Sequence, residues 1–188
     1  MRCNFPRVLS RLDNLQMSQA SNYTYLLLGG NIGDTLANLS QATSLVSTHI
    51  GTITRKSPVY RSEAWGFVAA QDFLNIALEV NTTLSAFELL ATCKEIEKTI
   101  GREMKKRAGY ESRIIDVDIL FYNHEKVETD DLSIPHPRLH LRKFALLPLA
   151  DIAPGFIHPS LNKPVDELLR DCEDKSTCFR INEQLNCF

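Results

Sequence analysis

Between Phe73 and Gly101 the chain changes its hydrophobic period once, and that change limits what it can fold into. Leu74, Ile76, Leu78 and Val80 alternate with Phe73, Asn75, Ala77 and Glu79, the pattern of a strand with one face in a core. The core claims the first set. Ser85-Ala-Phe-Glu88 then spells a capping box, and Leu89, Cys93, Ile96 and Ile100 recur at helical spacing until Gly101 ends the helix.

The same grammar runs through the rest of the chain. Tyr23 to Leu28 reads as a strand, Gly29-Gly-Asn-Ile-Gly-Asp34 as a turn, and Leu36, Leu39, Thr43, Val46 and Ile50 as the core stripe of a helix. Thr52 to Tyr60 reads as a second strand, and the run around Asp116 as a fourth. Phe144 to Ala150 reads as a short helix or turn, and Val165 to Leu169 as an amphipathic piece within a peripheral, cysteine-bearing end. The order βαββαβ predicts an α+β fold, a ferredoxin-like antiparallel sheet with two long helices on one face and C-terminal additions. Arg61 to Asp72 and Arg102 to Ser112 stay unassigned, and loops of that length are often substrate lids.

Residues 1–22 contain arginine and serine, are nearly free of acids and show no hydrophobic period. They read as a poorly ordered extension, with Met17 a candidate start and no signal-peptide pattern. Residues 23–160 form one domain, and 161–188 a peripheral segment. A net charge of −2 argues against general nucleic-acid affinity, and no apolar run approaches the length needed to span a bilayer. Five cysteines without C-x-x-C spacing fit a reducing cytoplasm. With no exposed apolar stripe evident, a monomer is the expectation.

Asp116 and Asp118 stand two apart in a run that otherwise reads as a buried strand. Their side chains share a face, with backbones roughly 6.6 Å apart. Two such anions need a cation, and Mg²⁺ with its waters and substrate phosphate oxygens answers that need. The plainer reading is a wet or arginine-paired strand face. Arg102 to Arg113 holds five cationic side chains in 12 residues, suited either to phosphate oxygens or to solvent. Phe73 and Asn75, on one strand face, can stack a flat heterocycle and pair with its polar edge, or simply pack. His136, between two prolines, with Arg138, His140 and Arg142 adds groups that suit phosphate.

Taken in order, Leu-Gly-Gly-Asn-Ile-Gly-Asp34, Tyr60-Arg-Ser-Glu-Ala-Trp-Gly66, Phe73-Leu-Asn75, Glu97 before Gly101-Arg102, Arg113-Ile-Ile-Asp-Val-Asp-Ile119, Pro-His-Pro137 and Arg142-Lys-Phe-Ala-Leu-Leu-Pro-Leu149 resemble the 6-hydroxymethyl-7,8-dihydropterin pyrophosphokinases of folate biosynthesis. The resemblance covers Tyr23 to Pro159 and makes residues 23–160 the pyrophosphokinase domain. It implies transfer of pyrophosphate from ATP to the pterin hydroxymethyl oxygen, with release of AMP. By that resemblance Asp116 and Asp118 hold two Mg²⁺ ions, with Arg102 and Arg113 as the catalytic cations. Phe73, Asn75, Phe144, Ser62 and Trp65 bind the pterin, and Glu97, Lys105, Tyr110, Ile119, His136 and Arg142 line the ATP side. This chain departs from the pattern at Gly30, where the family commonly has Ser. It departs again at Tyr110-Glu-Ser-Arg113, where Trp-Gly-Pro-Arg is usual, within a stretch one residue longer.

Two other classes compete. A nucleotidyltransferase also combines glycines with an Asp-x-Asp pair, but there the elements lie close in sequence, and here more than 80 residues separate Gly30 from Asp116. A ferredoxin-like RNA-binding module would want aromatics and a basic sheet face where this chain has aspartates.

Overall fold

The computed structural model describes residues 21–101 and 111–182. The expectation for residues 1–20 lies outside them. In order the elements are β1 (Asn22–Gly30), α1 (Thr35–His49), β2 (Gly51–Lys56), β3 (Tyr60–Ser62), β4 (Phe73–Thr82) and α2 (Ala86–Ile100). There follow β5 (Asp116–Tyr122), the small hairpin β6 (Val127–Glu128) and β7 (Ser133–Ile134), α3 (Lys143–Ile152), α4 (Val165–Asp171) and β8 (Cys178–Arg180). The main sheet runs β5-β1-β4-β3-β8, with β2 also on β4, and every pairing in it is antiparallel. This is the ferredoxin-like order.

The expected second strand is two strands. Pro58 cannot donate to a ladder, so β2 ends at Lys56 and β3 begins at Tyr60, each pairing with a different part of β4. Ser57 fills the gap: its N–H donates to the Ala77 carbonyl, and its Oγ accepts from the Ala77 N–H, both at 2.9 Å. At α2 the capping box forms, with Ser85 and Glu88 answering each other's backbone, and Gly101 ends the helix at φ 107°.

α1 and α2 lie on one face of the sheet. Leu39 and Val46 from the first, and Leu89, Cys93 and Ile96 from the second, pack on Leu26, Leu28, Ile76, Leu78 and Val80. The other face carries a second core. Leu146 and Leu149 of α3, with Val165 and Leu168 of α4, pack on Leu27, Ala77, Leu120 and Phe121. A bulge in β5 opposite Tyr25 and Leu26 lets Leu120 and Phe121 both enter that core, before Tyr122 returns to the first. The segment after Pro154, expected to be peripheral, is therefore integral: α4 closes the second core and β8 extends the sheet.

At the rim of this core, His158 is only 4% exposed. Its Nδ1 accepts from the N–H groups of Ser160 and Leu161, each at 3.2 Å. Burial, then the charge of His140, pushes its pKa down to about 4 from an ordinary 6.5. The unfolded chain thus takes up a proton that the folded chain refuses, so this contribution to stability is complete above pH 6.5 and is lost as pH falls toward 4. His158→Asn keeps an acceptor and removes the titration. Urea unfolding should show the parent losing on the order of 1–2 kcal/mol more than this variant between pH 6.5 and 4.5.

Candidate active site

α3 covers only part of its face of the sheet. At the other end, register places Gly29 of β1 between Asn75 on β4 and Asp116 on β5, and Leu27 between Ala77 and Asp118. With strands about 4.8 Å apart, Asn75 and Asp116 stand roughly 10 Å apart across the glycine. A Cβ at Gly29 would lie 2.4 Å from Asn75 Oδ1, and one at Gly30 would lie 2.3 Å from the Ile114 carbonyl oxygen. Bare backbone at both positions is what lets the flanking groups close over β1. The result is a cleft of about 260 Å³ with an aromatic side and an acidic side.

On the aromatic side, Asn75 and Ser62 are each 2% exposed, and the Asn75 amide donates to Ser62 Oγ at 3.0 Å. That bond fixes the amide's orientation. Phe67 meets Phe73 edge to face at 6.1 Å between centroids. Opposite, the Arg142 guanidinium lies 5.0 Å from the Trp65 ring centroid and 5.6 Å from that of Phe144, within cation-π range of both. Trp65, Phe67, Phe73 and Phe144 all line the cleft.

On the acidic side Arg113 pairs with Asp116, so the arginine-paired reading of the strand holds for that carboxylate. Asn31, only 2% exposed, anchors the approach to it. Its Oδ1 accepts from the Arg113 N–H at 2.9 Å, and its Nδ2 donates to the Gln71 carbonyl at 3.1 Å and to Ser112 Oγ at 3.0 Å. Burial, then the Arg142 charge, pushes the His136 pKa down to about 4, with Asp116 opposing. The ring is therefore neutral at pH 7. Its Nδ1 lies 3.2 Å from the Arg138 N, and its Nε2 lies 3.4 Å from Arg142 Nη1. Arg142 is 7% exposed; burial lowers its pKa, while Asp118 and then Asp116 resist the shift.

Of the residues singled out in the sequence, Ser62, Trp65, Phe73, Asn75, Phe144, Arg113, Asp116, Asp118, His136 and Arg142 line this one cleft. Glu97 reaches from α2 beneath it, where its Oε1 accepts from the Val117 N–H at 2.8 Å, between the two aspartates. Ile119 does not face the cleft; its side chain is buried in the core under α1 and α2. Arg102, Lys105 and Tyr110 lie outside the described residues, as do Lys106 and Arg107. Glu63 and Phe67 also line the cleft and were missed. They sit in the unassigned stretch after Arg61, and the aromatic following Gly66 was the available signal.

Residues 25–154 match the family model described as 7,8-dihydro-6-hydroxymethylpterin-pyrophosphokinase, HPPK. The chain is 42% identical to the 2-amino-4-hydroxy-6-hydroxymethyldihydropteridine pyrophosphokinase of Bacillus subtilis over 133 residues, 70% of this chain and 78% of that one. To the protein of the same description from Aquifex aeolicus it is 40% identical over 154 residues, 82% of this chain and 94% of that one. The chain belongs to the HPPK family. Among solved structures, a Plasmodium falciparum HPPK-DHPS superposes with a TM-score of 0.65 at 19% identity, over 80% of this chain and 43% of that one. That likeness concerns the fold, and this chain spans less than half the length of the Plasmodium protein. The HPPK match ends at Pro154, so α4 and β8 lie beyond it.

For this HPPK-family cleft, Glu97 holds the backbone from which both aspartates project. Glu97→Ala strands the Val117 N–H and should lower stability by about 1–3 kcal/mol in urea unfolding. Glu97→Gln keeps an acceptor and should recover more than half of that loss.

Proposed function

We propose that this cleft transfers the pyrophosphoryl group of ATP to the hydroxymethyl oxygen of 6-hydroxymethyl-7,8-dihydropterin, giving AMP and the pterin diphosphate. The observation that carries the reading is the row Asn75, Gly29, Asp116. It sets a ring-binding amide and an acidic site on one floor, with only a glycine between them.

Each side chain then has a chemical task. Phe73 and Phe144 offer faces for a flat pterin, with Trp65 beside them. The Asn75 amide, oriented by Ser62 Oγ, pairs with the polar edge of the ring, and a buried amide of this kind discriminates against rings that leave it unpaired. The neutral His136 stands beside Arg142 on the phosphate side without adding charge. Arg113 and Arg142 answer negative charge on the phosphates as it redistributes during transfer.

Asp116 and Asp118 supply hard oxygen donors, and among the described residues no third Asp, Glu, His or Cys joins them in a metal-binding group. That sparse set fits Mg²⁺, which keeps several waters and takes its remaining ligands from substrate phosphates. Mg²⁺ held there by Asp116 and Asp118, two ions by family resemblance, would supply charge neutralisation on the phosphate oxygens and would acidify the attacking hydroxyl. The protein's own part is to place the hydroxymethyl oxygen beside the phosphates and to exclude water that would otherwise take its place.

AMP should be released from ATP only when the hydroxymethyl-dihydropterin and Mg²⁺ are both present; release without the pterin would refute the assignment. Asp118→Ala should lower turnover by roughly a thousandfold or more while the melting temperature is retained. Phe73→Ala should weaken pterin binding by roughly tenfold, with little effect on ATP.

A further inference from the structure

The two walls of the ring-binding side belong to elements distant in sequence. One is β3 with the residues after it, carrying Ser62, Glu63 and Trp65; the other is the start of α3, carrying Arg142 and Phe144. The α3 N-terminus has no cap of its own, because Arg142 stands at the N-cap and its side chain makes no capping hydrogen bond. The cap comes from the far end of the chain. Asp174 Oδ2 accepts from the Lys143 N–H at 3.1 Å, while its Oδ1 accepts from the Ser176 N–H at 2.9 Å.

Three residues further on, the same segment is bonded to the opposite wall. The Glu63 N–H donates to the Thr177 carbonyl at 3.1 Å, and the Thr177 N–H donates to Glu63 Oε2 at 3.2 Å. Ser62, Arg61 and Tyr60 then pair with Cys178, Phe179 and Arg180, and the Ile181 N–H donates to the Val59 carbonyl at 2.9 Å. One short stretch of chain is thus hydrogen-bonded to both sides of the slot. Burial alone would raise the Asp174 pKa, but the backbone donors of Ser176 and Lys143 and the Lys143 charge prevail and hold it below the ordinary carboxylate range. The cap is therefore an anion at neutral pH, the form favoured at a helix N-terminus.

We propose that Asp174 to Arg180 is a brace that sets the spacing of the pterin slot, with Asp174 as its positioning residue. It touches neither substrate. It acts by fixing where α3 begins, and so where Phe144 stands relative to Trp65 and Phe73. The brace lies beyond residues 25–154, which match the family model. It rests on the reading that this slot holds the pterin.

Trp65 is the chain's one tryptophan, so its fluorescence, titrated with 6-hydroxymethylpterin, reports occupancy of the slot directly. Asp174→Ala should weaken pterin binding, and raise the KM for the pterin, by about fivefold, the size of a lost helix cap. The KM for ATP should stay within experimental error. Asp174→Asn keeps an acceptor and should weaken pterin binding by about twofold, a loss that decides the matter if the alanine variant does not fold. Parental pterin affinity in both variants, with only the melting temperature lowered, would overturn the brace, as would equal losses toward pterin and ATP. A parent protein whose Trp65 emission ignores the pterin would overturn the functional reading and the brace with it.

Discussion

Two carboxylates on one strand face cannot be covered by an apolar helix, since burying them unpaired costs several kcal/mol each. Asp116 and Asp118 impose that condition on one end of β5, and the second layer respects it. α3 packs on Leu27, Ala77, Leu120 and Phe121 and leaves the aspartate end bare. The β5 bulge assists, because it brings two consecutive apolar residues to the α3 side where strict alternation would have offered one. The cleft is the part of the sheet that its own charges keep uncovered.

From that division the rest of the site follows by register. In β4 the same side that presents Ala77 to the second core presents Asn75 and Phe73 to the cleft, so the ring side begins one step beyond the packed region. β1 lies between β4 and β5, and a side chain at position 29 would stand between Asn75 and Asp116. Glycine removes the obstacle, and the 2.4 Å a Cβ would leave to Asn75 Oδ1 shows how closely the amide has moved in. The placement of the amide relative to the carboxylates is thus written into backbone pairing, which is far stiffer than any loop.

Much of this was legible in the chain. Period-two alternation assigned Phe73 and Asn75 to the face away from α1 and α2, and the same rule put Asp116 and Asp118 together. The capping box and Gly101 marked α2 to the residue. What escaped was information carried by tertiary pairing. α3 is apolar because it covers a second core, and a short apolar run does not reveal which face it will cover. β8 pairs through backbone groups that any sequence possesses, so Cys178-Phe-Arg180 gave no sign of joining the sheet. Glu97 stood out only through the family resemblance, and its helical setting gave no sign of the hydrogen bond it accepts from the Val117 N–H. Ile119 belongs to a motif of cleft residues, yet alternation points its side chain to the other face, and alternation prevails.

Charge balance within the cleft bears directly on the phosphate chemistry proposed for it. Arg113, Arg138 and Arg142 face Glu63, Asp116 and Asp118 among the lining residues, three against three, and the depressed pKa of His136 keeps its ring from tipping the count. Arg113 is already paired with Asp116, and Glu63 is engaged with the Thr177 backbone. A triphosphate adds about four negative charges to this balanced set, and buried like charges at that density repel strongly at low dielectric. In the proposed reaction, divalent cations on the aspartates would meet that excess. Arg102 to Arg107, outside the described residues, carry four basic residues and one acid. Under the proposed function, a neutral cleft would make productive binding conditional on the metal arriving with the nucleotide, which would confine the reactive arrangement to the loaded enzyme.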